Sequence, residues 1–214
     1  LEIVMLPTEQ FDKEIQRRKQ AANVGSLDTV NYILDAKLAD FVLNSEERNE
    51  AYLKVSRFID LFKEGKANKG LYLHGKYGTG KTYLLSAIVE ELSSDYKVYF
   101  IYFPDLVRSM KSSISTNELE AQVTALKTCD LLIFDDVGSE NMTPWFRDEI
   151  LAPILQFRLA SGLPLLISSN FPQQQLLNIM AVGNNELDRT KSMRIVHRIV
   201  QLTETISLNI PYQP

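Results

Sequence analysis

Residues 71–85 read L-Y-L-H-G-K-Y-G-T-G-K-T-Y-L-L: an apolar run, a glycine-rich turn, and the start of a second apolar run. Gly75, Gly80, Lys81 and Thr82 satisfy the spacing G-x-x-x-x-G-K-[ST]. Backbone N–H groups can surround a polyphosphate only where side chains are absent and unusual φ/ψ values are open, which is what glycine supplies. A helix starting near Gly80 adds the positive end of its dipole. Lys81 is long enough to reach the β- and γ-phosphates, and the Thr82 hydroxyl suits Mg²⁺. The flanks fit the same mechanism. Leu71 to Leu73 supply the preceding strand, and Leu84, Leu85, Ile88, Val89 and Leu92 supply the apolar face of the following helix. The expected phosphate cradle is therefore Gly75, Lys76, Tyr77, Gly78, Thr79, Gly80, Lys81 and Thr82.

A second half of the site is expected at residues 131–136, L-L-I-F-D-D. Its unbroken apolar character fits a central strand buried on both faces. Acids at its carboxyl end then fall beside the phosphate loop. Asp135 is the candidate Mg²⁺ ligand, and Asp136 the group that orients or deprotonates an attacking water. Ser168, Ser169 and Asn170 end another apolar run, where the Asn170 amide can touch the γ-phosphate or the water, or merely start a turn. Arg194 and Arg198 are four apart and share one helix face. Either can supply charge to a phosphate in its own or a neighbouring site, and both also read as solvated helix residues.

Short apolar runs alternate with helical stretches from residue 66 onward. Strands are expected at Leu71–His74, Val98–Tyr102, Leu131–Phe134, Leu165–Ser168 and Thr205–Leu208. Helices are expected at Thr82–Ser93, Pro104–Met110, Glu118–Lys127, Pro144–Ala160, Gln173–Met180 and Ser192–Val200. Alternation of this kind implies crossover connections, hence a parallel sheet covered on both faces: an α/β fold in three layers. Before residue 66 the pattern is helical, with a charged stretch at Thr8–Ala22, a break at Gly25–Asp28, and an amphipathic helix at about Glu46–Lys63. The chain is therefore divided into an N-terminal helical segment, 1–65, and an α/β domain that carries the phosphate loop, 66–214.

Composition narrows the rest. Of 214 residues 45% are apolar and 23% charged, which excludes wholesale disorder. One cysteine, Cys129, excludes a disulfide framework and a multi-cysteine zinc site. The net charge is 23 − 27 = −4, so a nucleic-acid contact has to be a local patch. No apolar run approaches the roughly 18 residues of a membrane span. The chain begins with Leu1 and shows no signal-peptide pattern, which reads as a fragment or processed chain of a reducing, cytoplasmic compartment.

The segments "GLYLHGKYGTGKTYLL", "LLIFDDVGSE", "WFRDEILAPILQFR", "LPLLISSNF" and "RIVHRIVQL" together resemble the AAA+ ATPase domains of bacterial primosomal helicase loaders, the DnaI/DnaC type, over about residues 66–210. The resemblance implies Mg²⁺-dependent ATP hydrolysis, slow and stimulated by partners, on a sheet ordered 5-1-4-3-2. Gly75–Thr82 then correspond to Walker A, Asp135 and Asp136 to Walker B, and Asn170 to sensor 1. Arg198, with Arg194 as the fallback, corresponds to the arginine finger that completes a neighbour's ATP site, so self-association is implied. The implied partners are the replicative hexameric helicase and single-stranded DNA, the latter through a helix carrying Arg108 and Lys111. Those two residues taken alone are a weak basic footprint and also read as a solvated face.

Three features depart from the family pattern. The second Walker B acid is Asp136 rather than Glu, so Glu140 is a candidate to share the water-activating role. Too few residues follow the last helix for a C-terminal lid domain, as in lidless family members. The family's cysteine-bearing helicase-binding region is absent or lies outside the fragment. Alternatives on the same motifs are a transposition-helper ATPase, a P-loop small-molecule kinase, and a nucleotide-binding scaffold that does not hydrolyse. Elsewhere, the aromatic-rich stretch 144–160 reads as core, with Arg147, Asp148 and Glu149 available for a subunit contact.

Overall fold

The apolar run at 131–134 is explained by its two faces. Leu131 and Ile133 point into one hydrophobic cluster, while Leu132 and Phe134 point into another, and all four are buried. A period of two along a strand sends neighbours to opposite sides, so only a strand covered twice is apolar throughout. The computed structural model describes residues 24–25, 32–112, 118–183 and 185–210. The charged stretch expected to be helical at Thr8–Ala22 lies outside the described residues.

The strands are β1 (Val24–Gly25), β2 (Gly70–His74), β3 (Val98–Tyr102), β4 (Leu131–Val137), β5 (Leu165–Ser169) and β6 (Thr203–Ser207). They form one parallel sheet in the order β1-β3-β4-β5-β2-β6. The five longer strands reproduce the expected 5-1-4-3-2 arrangement; the sixth corrects the expected count. It is the stretch read as a break at Gly25, which pairs at the edge with Val98 and Tyr99. Glycine fits because a Cβ there would meet the Tyr99 ring at 2.3 Å.

The helices are α1 (Glu46–Lys63), α2 (Lys81–Leu92), α3 (Phe103–Ser112), α4 (Glu118–Thr128), α5 (Ala152–Ser161), α6 (Leu176–Met180) and α7 (Glu186–Leu202). The α1 and α2 helices cover one face of the sheet with Ala51, Val55, Phe58, Leu84 and Ile88. The other face is covered from α3, α4, α5 and α7 by Phe103, Leu126, Ile154 and Ile199. This is the three-layer α/β architecture expected. Within the described residues no helix is long and apolar enough to cross a membrane.

One expected helix is not uniform. Residues 146–151 form a π-helical turn leading into α5. Pro153 sits in the first turn of α5 and has no N–H to close onto Glu149, so the turn before it widens, and the Ala152 amide reaches back to the Arg147 carbonyl. Arg147 is not available for a subunit contact. It is 1% exposed and donates to Asp148, to Asp188 at 2.6 Å and to Ser192 at 2.9 Å, joining the π turn to the start of α7.

Candidate active site

The phosphate loop links β2 to α2, and its backbone explains the glycines. Gly75 has φ +141°, and a Cβ on it would lie 1.8 Å from the Leu208 carbonyl oxygen just past β6. Gly80 has φ +96° and precedes α2 with no side-chain cap, so the first amides of that helix keep their donors for a ligand. The loop opens on a cleft of about 630 Å³, a size suited to a nucleotide. Gly78 through Thr82, Tyr77, Asp135, Asp136 and Asn170 all line it.

Lys81 is 8% exposed. Its Nζ donates to the carbonyls of Gly75 at 2.9 Å and Lys76 at 2.7 Å and to Asn170 Oδ1 at 3.1 Å. Burial pushes its pKa down, while the carboxylates of Asp136 and Asp135 oppose that shift. Thr82 Oγ1 lies 3.1 Å from both oxygens of Asp135, and the Ser168 hydroxyl donates to Asp135 at 2.5 Å. Burial pushes the Asp135 carboxyl up; the bonds from Ser168 and Thr82 pull the other way.

The two acids are adjacent in sequence, yet both line the cleft. In a regular strand they would face opposite sides. The pairing of β4 with β5 shifts between Phe134 and Val137, and Asp136 takes φ +62°. This bulge re-aims Asp136 toward the cleft, and the Asp136 amide donates to Ser168 Oγ at 2.9 Å. Asn170 Nδ2 donates to Asp136 Oδ1 at 3.0 Å, and the Tyr102 hydroxyl lies 3.5 Å from the other oxygen. Asn170 thus bridges the loop lysine and the second acid.

Glu140 is placed elsewhere. Its Oε2 accepts from the Gly138 amide at 2.8 Å, and it does not line the cleft. Burial raises its pKa. Arg198 is half-buried and Arg194 exposed on α7, and neither lines the cleft. On α3, Lys111 is exposed and Arg108 is exposed in an ion pair with Asp105.

Several cleft-lining residues escape the sequence reading, among them Tyr102, the Phe41–Val42 wall, and Arg48. Arg48 leaves a signal in hindsight. It is a cation in the first turn of a helix, against the dipole, which marks it for another partner.

The donor set fits magnesium. A hydroxyl and a buried carboxylate present hard oxygen atoms side by side, and Mg²⁺ is commonly held by one or two carboxylates plus substrate phosphates. Among the described residues, no group of three or more His, Cys, Asp or Glu could hold a metal by itself.

A parallel sheet of this order, with a glycine-rich phosphate loop at one strand end and an acidic strand end beside it, defines a P-loop nucleotide-binding domain of the AAA+ type. The chain belongs to the bacterial DnaA ATPase domain family, whose sequence model matches residues 35–196. It is 34% identical to the replicative helicase loader DnaI of Bacillus subtilis (strain 168) over 196 residues, 91% of this chain and 63% of that protein. The chain thus spans less than two thirds of that relative's length. A crystal structure of DnaI superposes with TM-score 0.80 at 36% identity, covering 89% of this chain and 100% of the other. The DnaC helicase loader shares the fold, with TM-score 0.64, 21% identity, and coverage of 82% and 98%. The resemblance read from the sequence is borne out.

Proposed function

We propose that this chain is an ATP-driven loader of the replicative DNA helicase in primosome assembly, in which ATP hydrolysis switches its grip on helicase and single-stranded DNA. The observation that carries the chemistry is the convergence of Lys81, Asn170 and Asp136 in one hydrogen-bonded line beside the Thr82–Asp135 pair. Support for the helicase partner comes from the identity to DnaI.

In this reading the amides of residues 75–82 cradle the triphosphate, and Lys81 leaves its own loop carbonyls to meet the β- and γ-phosphates. Thr82 and Asp135 would hold Mg²⁺, which would supply neutralisation of phosphate charge. Asp136 orients the attacking water and takes its proton, while Asn170 holds Asp136 in place and reads the γ-phosphate. Arg198, or Arg194 in its stead, stabilises the transition-state charge in the adjacent subunit of an assembly. Arg108 and Lys111 on α3 form the DNA-facing patch. Hydrolysis is slow and rises when partners dock, and loss of the γ-phosphate then releases the contacts it held. Residues 66–214 are taken as the ATPase domain and 1–65 as the segment leading into it, whose described part supplies β1, α1 and the Phe41–Arg48 side of the cleft.

The test is ATP turnover and helicase loading, with and without single-stranded DNA, for wild type and Lys81→Ala. Loss of ATP binding and loading together supports the switch. Loading that persists in the variant refutes it, and capture of a transposase in place of the helicase would move the chain to the transposition-helper class.

A further inference from the structure

We infer that Arg48 is a positioning residue that fixes the base end of the nucleotide cleft relative to its phosphate end. The inference rests on the nucleotide-binding reading above and adds to it a residue outside the phosphate loop and the acidic strand.

Arg48 sits in the first turn of α1 and is 1% exposed. A buried cation in that position needs strong compensation, because both desolvation and the helix dipole oppose it. Its partners supply it. Nε donates to the Val42 carbonyl at 2.6 Å, one terminal nitrogen donates to the Thr79 carbonyl at 2.7 Å, and the guanidinium lies 4.0 Å over the Phe41 ring.

Those partners come from the two ends of one cleft. Phe41 and Val42 belong to the segment before α1 and form an apolar wall suited to a planar base; Thr79 belongs to the phosphate loop; all three line the same cavity. The join is tight. A Cβ on Gly80 would come within 3.0 Å of the Phe41 ring and 3.7 Å of Arg48. The wall is also tied to α2, where the Tyr83 hydroxyl donates to the Lys37 carbonyl at 2.9 Å. Arg48 is therefore the charged group that binds wall and loop directly.

The chemistry explains why arginine is suited to this. A planar fork serves two carbonyls at fixed angles while its face rests on an aromatic ring. A lysine ammonium is a single point and cannot span both carbonyls while keeping that stack. ATP engages the cleft at two places, so a rigid spacing between them is preorganisation, and loss of rigidity is felt by ligands that use both ends. Inorganic tripolyphosphate uses the phosphate end alone. That end has its own restraints: Thr79 Oγ1 donates to the Lys76 carbonyl at 3.0 Å, and Lys81 ties Gly75 and Lys76.

The experiment is calorimetric titration of the whole chain with ATP and with tripolyphosphate, each with Mg²⁺, for wild type, Arg48→Lys and Arg48→Gln. Arg48→Gln leaves no unpaired buried charge and keeps the Phe41 wall, so it keeps the test valid if Arg48→Lys folds poorly. The expected result is an affinity for ATP lowered about tenfold in both variants, with tripolyphosphate changed by no more than about twofold. Parallel weakening of both ligands, or no change in either, overturns the positioning role. Wild type that takes up no ATP at all overturns the nucleotide reading first, a distinct outcome.

Discussion

Thr82 Oγ1 stands 3.1 Å from each carboxylate oxygen of Asp135, so the last residue of the phosphate loop and the first acid of β4 already share a hydrogen bond. Ser168 holds the same carboxylate from β5. In the proposed metal site such a hydroxyl would add to magnesium-dependent affinity and leave metal-free phosphate contacts to the loop amides and Lys81. Thr82→Ala is expected to lose about ten- to a hundredfold of the gain in ATP affinity that Mg²⁺ provides, as for loss of a metal-site ligand or its support. Thr82→Ser should retain it. Titration with a fluorescent ATP analogue, with Mg²⁺ or with EDTA, reads the difference; an unchanged magnesium gain in Thr82→Ala removes the hydroxyl from the metal site.

Asp136 depends on its backbone as much as on its carboxylate. Its φ of +62° lies in the left-handed region, which Asn and Asp tolerate and β-branched residues do not. Asp136→Asn is therefore expected to fold normally and bind ATP within about threefold of wild type, while phosphate release falls about 10²- to 10⁴-fold with loss of the acceptor for the water's proton. Asp136→Val should also lower the melting temperature. Turnover near the wild-type rate in Asp136→Asn would falsify its assignment as the base.

The long elements were legible because burial fixes their pattern. The run 131–134 fitted a strand covered on both faces, and the apolar spacing of α1 matched its observed limits. The phosphate loop was legible because chemistry demands glycine at positions such as Gly75, where a side chain would overlap the Leu208 carbonyl. What stayed hidden depends on contacts between distant segments. The bulge that turns Asp136 toward the cleft is set by pairing with β5. The edge strand at Val24–Gly25 is two residues long and contains a glycine that reads locally as a break. The inward fold of Arg147 and the spanning role of Arg48 need partners 41 and 31 residues away. Those separations leave no local periodicity to read.

Arg147 is expected to matter for stability rather than for turnover. It is buried between Asp148 and Asp188, and its removal leaves the Asp188 carboxylate, 9% exposed, without its ion-pair partner. Breaking such a pair costs about 3–5 kcal/mol, so Arg147→Ala should lower the urea midpoint strongly. The same network gives an acid dependence. The Arg147 guanidinium holds the Asp148 carboxyl below the ordinary carboxylate range; the Gly183 amide, with Arg147, does so for Asp188. A depressed folded pKa contributes stability that is fully present above the unfolded value, near 3.9, and is lost as pH falls through the folded values. Wild type should therefore lose stability below about pH 4. In Asp148→Asn that slope should flatten, measured by urea unfolding across pH. An equal slope in both proteins would place the acid sensitivity elsewhere.

The position of Arg198 leads to a mixing prediction. Neither Arg198 nor Arg194 lines the cleft of its own chain, which fits the proposed role in a neighbouring copy's site. In the head-to-tail assembly that this role requires, one subunit's loop would meet the next subunit's α7. Arg198→Ala keeps its own loop intact and lacks only what it gives its neighbour, whereas Lys81→Ala lacks its own site and keeps Arg198. Each should be inactive alone. Mixed in equal amounts they should regain turnover at about a quarter of interfaces, those where an Arg198→Ala site meets a Lys81→Ala neighbour. Phosphate release from the mixture, with single-stranded DNA and helicase present, is the readout. Restoration with Arg194→Ala and none with Arg198→Ala would transfer the role to Arg194. With no restoration from either arginine variant, the proposed action of these arginines across the interface falls, because a group acting there must be replaceable from the other side.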